Sequence, residues 1–94
     1  MSETKKLMVP SVHINGTPYP ELFNPVCNAG VAVREAIEAL QETAPHGRDY
    51  YLQGNEALQK ATSEHLARLE KLQSVLQELQ DLAEGISENR EVSA

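Results

Sequence analysis

From Val26 onward the apolar positions recur in alternating steps of four and three: Val26, Gly30, Val33, Ile37, Leu40 and Ala44. That period lays them along one stripe of a helix. The spacing predicts a first helix over 25–43, with Asn24 as N-cap and Pro25 at the first helical position, where its missing N–H is harmless. Pro45 and Gly47 end it. A start nearer Thr17 is the alternative, with Thr17 capping, Pro18 in first position and a kink at Pro25.

The second helix starts at Asn55, a cap following Gly54, and meets no breaker before Gly85. Leu58, His65, Leu72, Leu79 and Ile86 fall seven apart, and Ala61, Arg68, Val75 and Leu82 follow each of the first four by three residues. This is a heptad pattern and implies left-handed, coiled-coil-like packing. Leu69, Leu76 and Ala83 widen the stripe. The expected fold is all-α: a two-helix antiparallel hairpin with a short N-terminal arm and a long heptad-patterned second helix, oligomeric. The hairpin domain spans 12–86, with flexible tails at 1–11 and 87–94.

Between tail and first helix, Met8–Phe23 carries Val9, Val12 and Ile14 in extended spacing, then Asn15-Gly16, Pro18 and Pro20. The prolines exclude a regular strand, so this reads as an arm ordered by packing on the helices. At 1.5 Å per residue the second helix is roughly 45–50 Å long and the first roughly 28 Å. An antiparallel hairpin then leaves about four turns of the second helix uncovered, from Val75 to Ile86. An exposed leucine stripe is a partner surface, and the simplest partner is another copy of the chain. The competing reading folds the arm back over that stripe, with Val9, Val12, Leu22 and Phe23 supplying the cover.

Composition sharpens the picture. Ninety-four residues make one domain at most, and with aromatics at 4% of the chain the core must come from Leu, Val, Ile and Ala, which suits helix packing. Fourteen acidic against eight basic residues give a formal charge of −6, which argues against non-specific binding to a nucleic-acid polymer. A single cysteine, Cys27, forms no intrachain disulfide, and with no secretory leader the chain is expected in the cytoplasm with a reduced thiol. No apolar run approaches a membrane span. Asn15-Gly16-Thr17 matches a glycosylation acceptor but is better read as a turn.

One segment has residue types suited to recognition. The loop Ala44-Pro45-His46-Gly47-Arg48-Asp49-Tyr50-Tyr51-Leu52-Gln53-Gly54 holds two of the three tyrosines beside an arginine and a histidine. Arginine offers a planar fork of donors to phosphate or carboxylate, and tyrosine a face for stacking and a hydroxyl. The loop leads into the N-terminus of the second helix, whose free N–H groups favour an anion. His65 and Arg68 are the polar members of the heptad seam, and a polar residue there costs stability unless it has a partner or a task. Arg48, Tyr50, Tyr51, His46, His65, Arg68 and Asn15 are therefore the candidate ligand-binding residues. Plainer readings stand beside each: Arg68 pairs with Glu64 four residues before it, His65 is a satisfied interface histidine, the tyrosines plug the hairpin end, and Cys27 lines core or groove. The chain shows no His/Cys cluster at metal spacing, no glycine-rich phosphate loop and no serine elbow, so no catalytic residue, metal site or cofactor is expected.

The run Val12-His13-Ile14-Asn15-Gly16-Thr17, the loop motif Ala44-Pro45-His46-Gly47-Arg48-Asp49-Tyr50-Tyr51 with Gln53-Gly54, and Glu64-His65 with Arg68-Leu69 resemble a group of small phage and prophage proteins. The resemblance covers about residues 12–86 and departs at Leu52, where those proteins carry proline. It implies phage origin and a setting in the host bacterial cytoplasm. By analogy with unrelated oligomeric phage proteins that sequester nucleotide messengers of bacterial immunity, the leading expectation is an anti-defence binding protein. Its ligand would be a cyclic oligonucleotide or a cyclic ADP-ribose variant, with Arg48 and Arg68 on phosphate, Tyr50 and Tyr51 stacking, and Asn15, His46 and His65 closing the pocket. The rival is a structural or protein-interaction factor that docks a partner through the leucine seam.

Overall fold

The computed structural model describes residues 7–93, and side chains for residues 7–90. The chain is all-helical with two long helices, and no strand occurs among the described residues. Helix α1 spans Tyr19–Gln41, two short 3₁₀ turns follow at Gly47–Asp49 and Tyr51–Gln53, and helix α2 spans Asn55–Ser93. The expected flexible N-terminal tail lies outside the described residues for positions 1–6. Positions 7–11 of it are described, and Leu7, Val9 and Pro10 among them lie against α2.

Helix α1 takes the earlier of the two anticipated starts. Pro18 is its N-cap residue in extended geometry (φ −61°, ψ 152°), Pro20 sits in the first turn, and Asn24 and Pro25 lie inside the helix. Prolines are harmless in the first turn, and Glu21 there is favoured by the helix dipole. Pro25 is not harmless: it leaves the Glu21 carbonyl without its helical donor, at a cost on the order of 3 kcal/mol. Packing of the first turns offsets this. The Tyr19 and Phe23 rings stack with centroids 5.1 Å apart, and the Arg90 guanidinium lies 4.4 Å from the Tyr19 ring centroid. A helix begun at Pro25 would forfeit both. At the other end α1 stops two residues earlier than expected, where the Thr43 hydroxyl and N–H both donate to the Leu40 carbonyl (2.7 and 2.9 Å) before Pro45.

Three contacts set an antiparallel register: Tyr19 against Arg90, Gly30 against Leu76, and Gly47 against Leu58. The stripe that α2 turns to α1 is His65, Leu69, Leu72, Leu76, Leu79, Ala83 and Ile86, all at least half-buried. Of the expected second set of seam positions, Ala61 and Leu82 are half-buried, but Arg68 is exposed and Val75 is 45% exposed. Leu69, Leu76 and Ala83 form an equally regular set on the other side of the row from His65 to Ile86, and the wholly apolar set faces α1 while Arg68 and Val75 turn outward.

The earlier start lengthens α1 to about 33 Å, enough to reach the far end of α2. Ile86, expected on an uncovered end, is instead the most deeply buried apolar side chain, at 1% exposure. The uncovered four-turn stripe therefore does not exist in the form anticipated. The arm covers one edge as well: Leu7 and Met8 line a pocket with Val75, Leu79 and Leu82, and Asn89 donates to the Pro10 carbonyl at 2.9 Å. From residue 87, where a tail was expected, α2 continues to Ser93.

Gly85 explains how the arm seats. A Cβ there would lie 2.9 Å from Val9 Cγ2, so only glycine lets the arm close on the helix. Glycine inside a helix costs about 1 kcal/mol against alanine, yet the helix runs through it. We expect Gly85→Ala to lower stability by about 1–2 kcal/mol in urea denaturation, because the clash outweighs the gain in propensity. A more stable variant would mean that Val9 is not seated there.

Candidate functional site

Gly54, at φ +102°, is the one described residue with a positive φ, and it turns the chain from the second 3₁₀ turn into α2. The loop ahead of it is held by short-range bonds: Asp49 N–H to His46 carbonyl (3.0 Å), Tyr50 N–H to Gly47 carbonyl (3.0 Å) and Gln53 N–H to Tyr50 carbonyl (2.9 Å). These successive turns leave His46 and Arg48 exposed, Tyr51 at 72% exposure and Tyr50 half-buried. Tyr50 is thus partly withdrawn from solvent, while Tyr51 and Arg48 face it.

His65 lies about 15 Å along α2 from Asn55. It is 5% exposed, and its Nδ1 is buried without a hydrogen-bond partner. It is therefore a core residue of the hairpin, not a satisfied one, and an unpaired buried donor or acceptor costs about 1–3 kcal/mol. Arg68, three residues on, sits on the surface and makes a 4.0 Å ion pair with Glu64 across one turn, which is worth only a few tenths of a kcal/mol. Asn15 belongs to the turn that Gly16 closes with its N–H on the His13 carbonyl. That turn precedes α1, whereas the tyrosine loop follows it, so about 33 Å of helix separates them. Within one chain the structure gathers His46, Arg48, Tyr50 and Tyr51 at one end, places His65 and Arg68 part-way along α2, and puts Asn15 at the opposite end.

Three open concavities line the hairpin flanks, and none of them includes a loop residue. Besides the arm pocket, one groove of about 250 Å³ runs between the helices beside Cys27, Gly30, Val31, Arg34, Leu76 and Gln80. Another, of about 470 Å³, lies along α2 beside Ser63, Leu66, Leu69, Glu70 and Gln73. Leu66 and Val31, 56% and 50% exposed, are the apolar residues of these grooves left open to solvent. Sequence reasoning passed over both. The signal was present as a second run, Leu66, Leu69, Gln73, Leu76, Gln80 and Ala83, in steps of three and four, hidden beneath the longer heptad through His65. Among the described residues no group of three His, Cys, Asp or Glu side chains is placed to hold a metal ion, and no helix is long and apolar enough to cross a membrane.

Compared with protein-family models, with curated proteins and with solved structures, the chain matches none.

His65→Leu removes the unpaired buried nitrogen while conserving bulk, so we expect a gain of about 1–2 kcal/mol in thermal or urea unfolding. A loss of similar size would show that Nδ1 has a partner in solution.

Proposed function

We propose that the chain is a self-associating helical binding module whose work is docking, not catalysis. One observation carries this reading: with α1 and the arm both in place, the flanks still expose Leu66, Val31 and Val75. Apolar side chains left half-open along the grooves of a helical surface are a surface for another helix. The interaction reading therefore stands ahead of the nucleotide reading, reversing their order in the sequence. The docking surface lies on the hairpin flank instead of the helix end.

Capture of a small phosphate-bearing nucleotide is the second reading, and the exposure of Arg48 and Tyr51 beside the N-terminus of α2 favours it. Those side chains are free to grip an anion and stack on a base. Buried His65 and ion-paired Arg68 do not join them within one chain, so such a site would draw its remaining walls from a neighbouring copy. The phage setting and a role against host defence rest on the sequence resemblance alone.

Sedimentation equilibrium at micromolar concentration tests the first reading, with a mass of two chains or more expected and a single-chain mass contradicting it. Calorimetric titration with cyclic dinucleotides and cyclic ADP-ribose variants tests the second. Binding that falls at least tenfold in Arg48→Ala and Tyr51→Ala supports it, and silence across the panel removes it.

A further inference from the structure

The hairpin is one layer thick. Its Cα extents are 63 × 29 × 15 Å and its radius of gyration is 19.1 Å, against about 12 Å for a compact domain of this length. Its accessible surface of 7302 Å² exceeds by about a third the area expected of a folded monomer of this mass. The excess, about 1,900 Å², is more than a standard interface buries on one partner and lies in the range that the interface of an obligate dimer buries on each. Stable domains close with a second layer, and one flank is prepared for it. On it Leu66, Gln73 and Gln80 of α2 are exposed beside the rims of Leu69, Leu76 and Ala83, whose inner sides pack on α1; the six follow coiled-coil spacing, and Val31 and Cys27 border them from α1.

Charge selects the direction in which a second layer lies. Along the outer border of this run, the C-terminal half of α2 carries three acids, Asp81, Glu84 and Glu88, whereas the N-terminal half carries Gln59, Ser63 and a single acid, Glu70. A parallel partner would set the three acids against their own copies. An antiparallel partner sets them against the less acidic half and also opposes the helix dipoles.

Resting on the self-association reading above, we infer that this flank is the two-fold interface of an antiparallel homodimer, a four-helix bundle in which the run from Leu66 to Ala83 packs against its own copy. The arrangement has a consequence for the candidate site. The loop end of one hairpin comes to lie beside the arm end of the other, so that the exposed Arg48 and Tyr51 gain a neighbour that the single hairpin does not supply.

Leu66→Glu tests the face. Because Leu66 is 56% exposed in the single hairpin, the variant should keep its helical circular dichroism while its dimer dissociation constant rises about 100-fold. Direction is tested in a Cys27→Ser background with a short bifunctional thiol cross-linker. Ser63→Cys and Glu84→Cys proteins should cross-link when mixed and fail to cross-link when each is alone. Cross-linking of each alone overturns the antiparallel arrangement. An oligomer that Leu66→Glu leaves intact overturns this face while sparing the self-association reading, and a wild-type monomer overturns both.

Discussion

Two helices packed side by side can each hide only one stripe of side chains, and that limit governs this protein. The stripe is narrow, so the contacts that close it are few and specific. Leu76 lies against Gly30, Gly85 admits Val9, and Tyr19 contacts both Phe23 and Arg90. The arm adds cover along one edge of the C-terminal half of α2, where the side chains beneath it, Val75, Leu79 and Leu82, are apolar. On the corresponding edge of the N-terminal half stand Lys60, Glu64, Arg68 and Lys71, which suit solvent and need no cover. The opposite flank has no arm, and its grooves, bordered by Glu70 and Arg34, stay open.

Much of this was legible in the residues because it depends on local chemistry. The Gly54-Asn55 start of α2, the heptad character of its sequence and the polar turn between the helices all follow from short-range preferences. The start of α1 did not, because Pro25 preceded by asparagine satisfies every local rule for a helix beginning. The deciding interaction, Arg90 on Tyr19, joins residues at opposite ends of the chain. The same cause hid Ile86. Once α1 begins at Tyr19 it reaches that far, and a side chain that counted as exposed becomes the best buried. The set through Arg68 and Val75 and the set that packs share the row from His65 to Ile86 and alternate threes and fours equally evenly, so spacing alone does not choose between them.

For the candidate site the lesson differs. Residue chemistry singled out His46, Arg48, Tyr50, Tyr51, His65, Arg68 and Asn15 without regard to distance, and distance separates them into three places. His65 remains the least economical residue of the molecule: its neighbours on the stripe are leucines, and it holds an unpaired nitrogen where a leucine would fit. The flank grooves, in contrast, are built from ordinary apolar residues, which draw notice only once the stripe facing α1 is known. The interaction reading and the ligand reading therefore share one requirement, a second copy, because the same single-layer architecture that leaves the flank open also keeps the polar candidates apart.

The claim on which both depend is that the single layer is incomplete alone. If so, folding is linked to association by mass action, and the thermal midpoint must rise with protein concentration. Thermal unfolding followed by circular dichroism over a hundredfold concentration range should show that rise, by several degrees. A midpoint that stays constant across the range would mean that one hairpin with its arm is sufficient by itself, and would contradict the account.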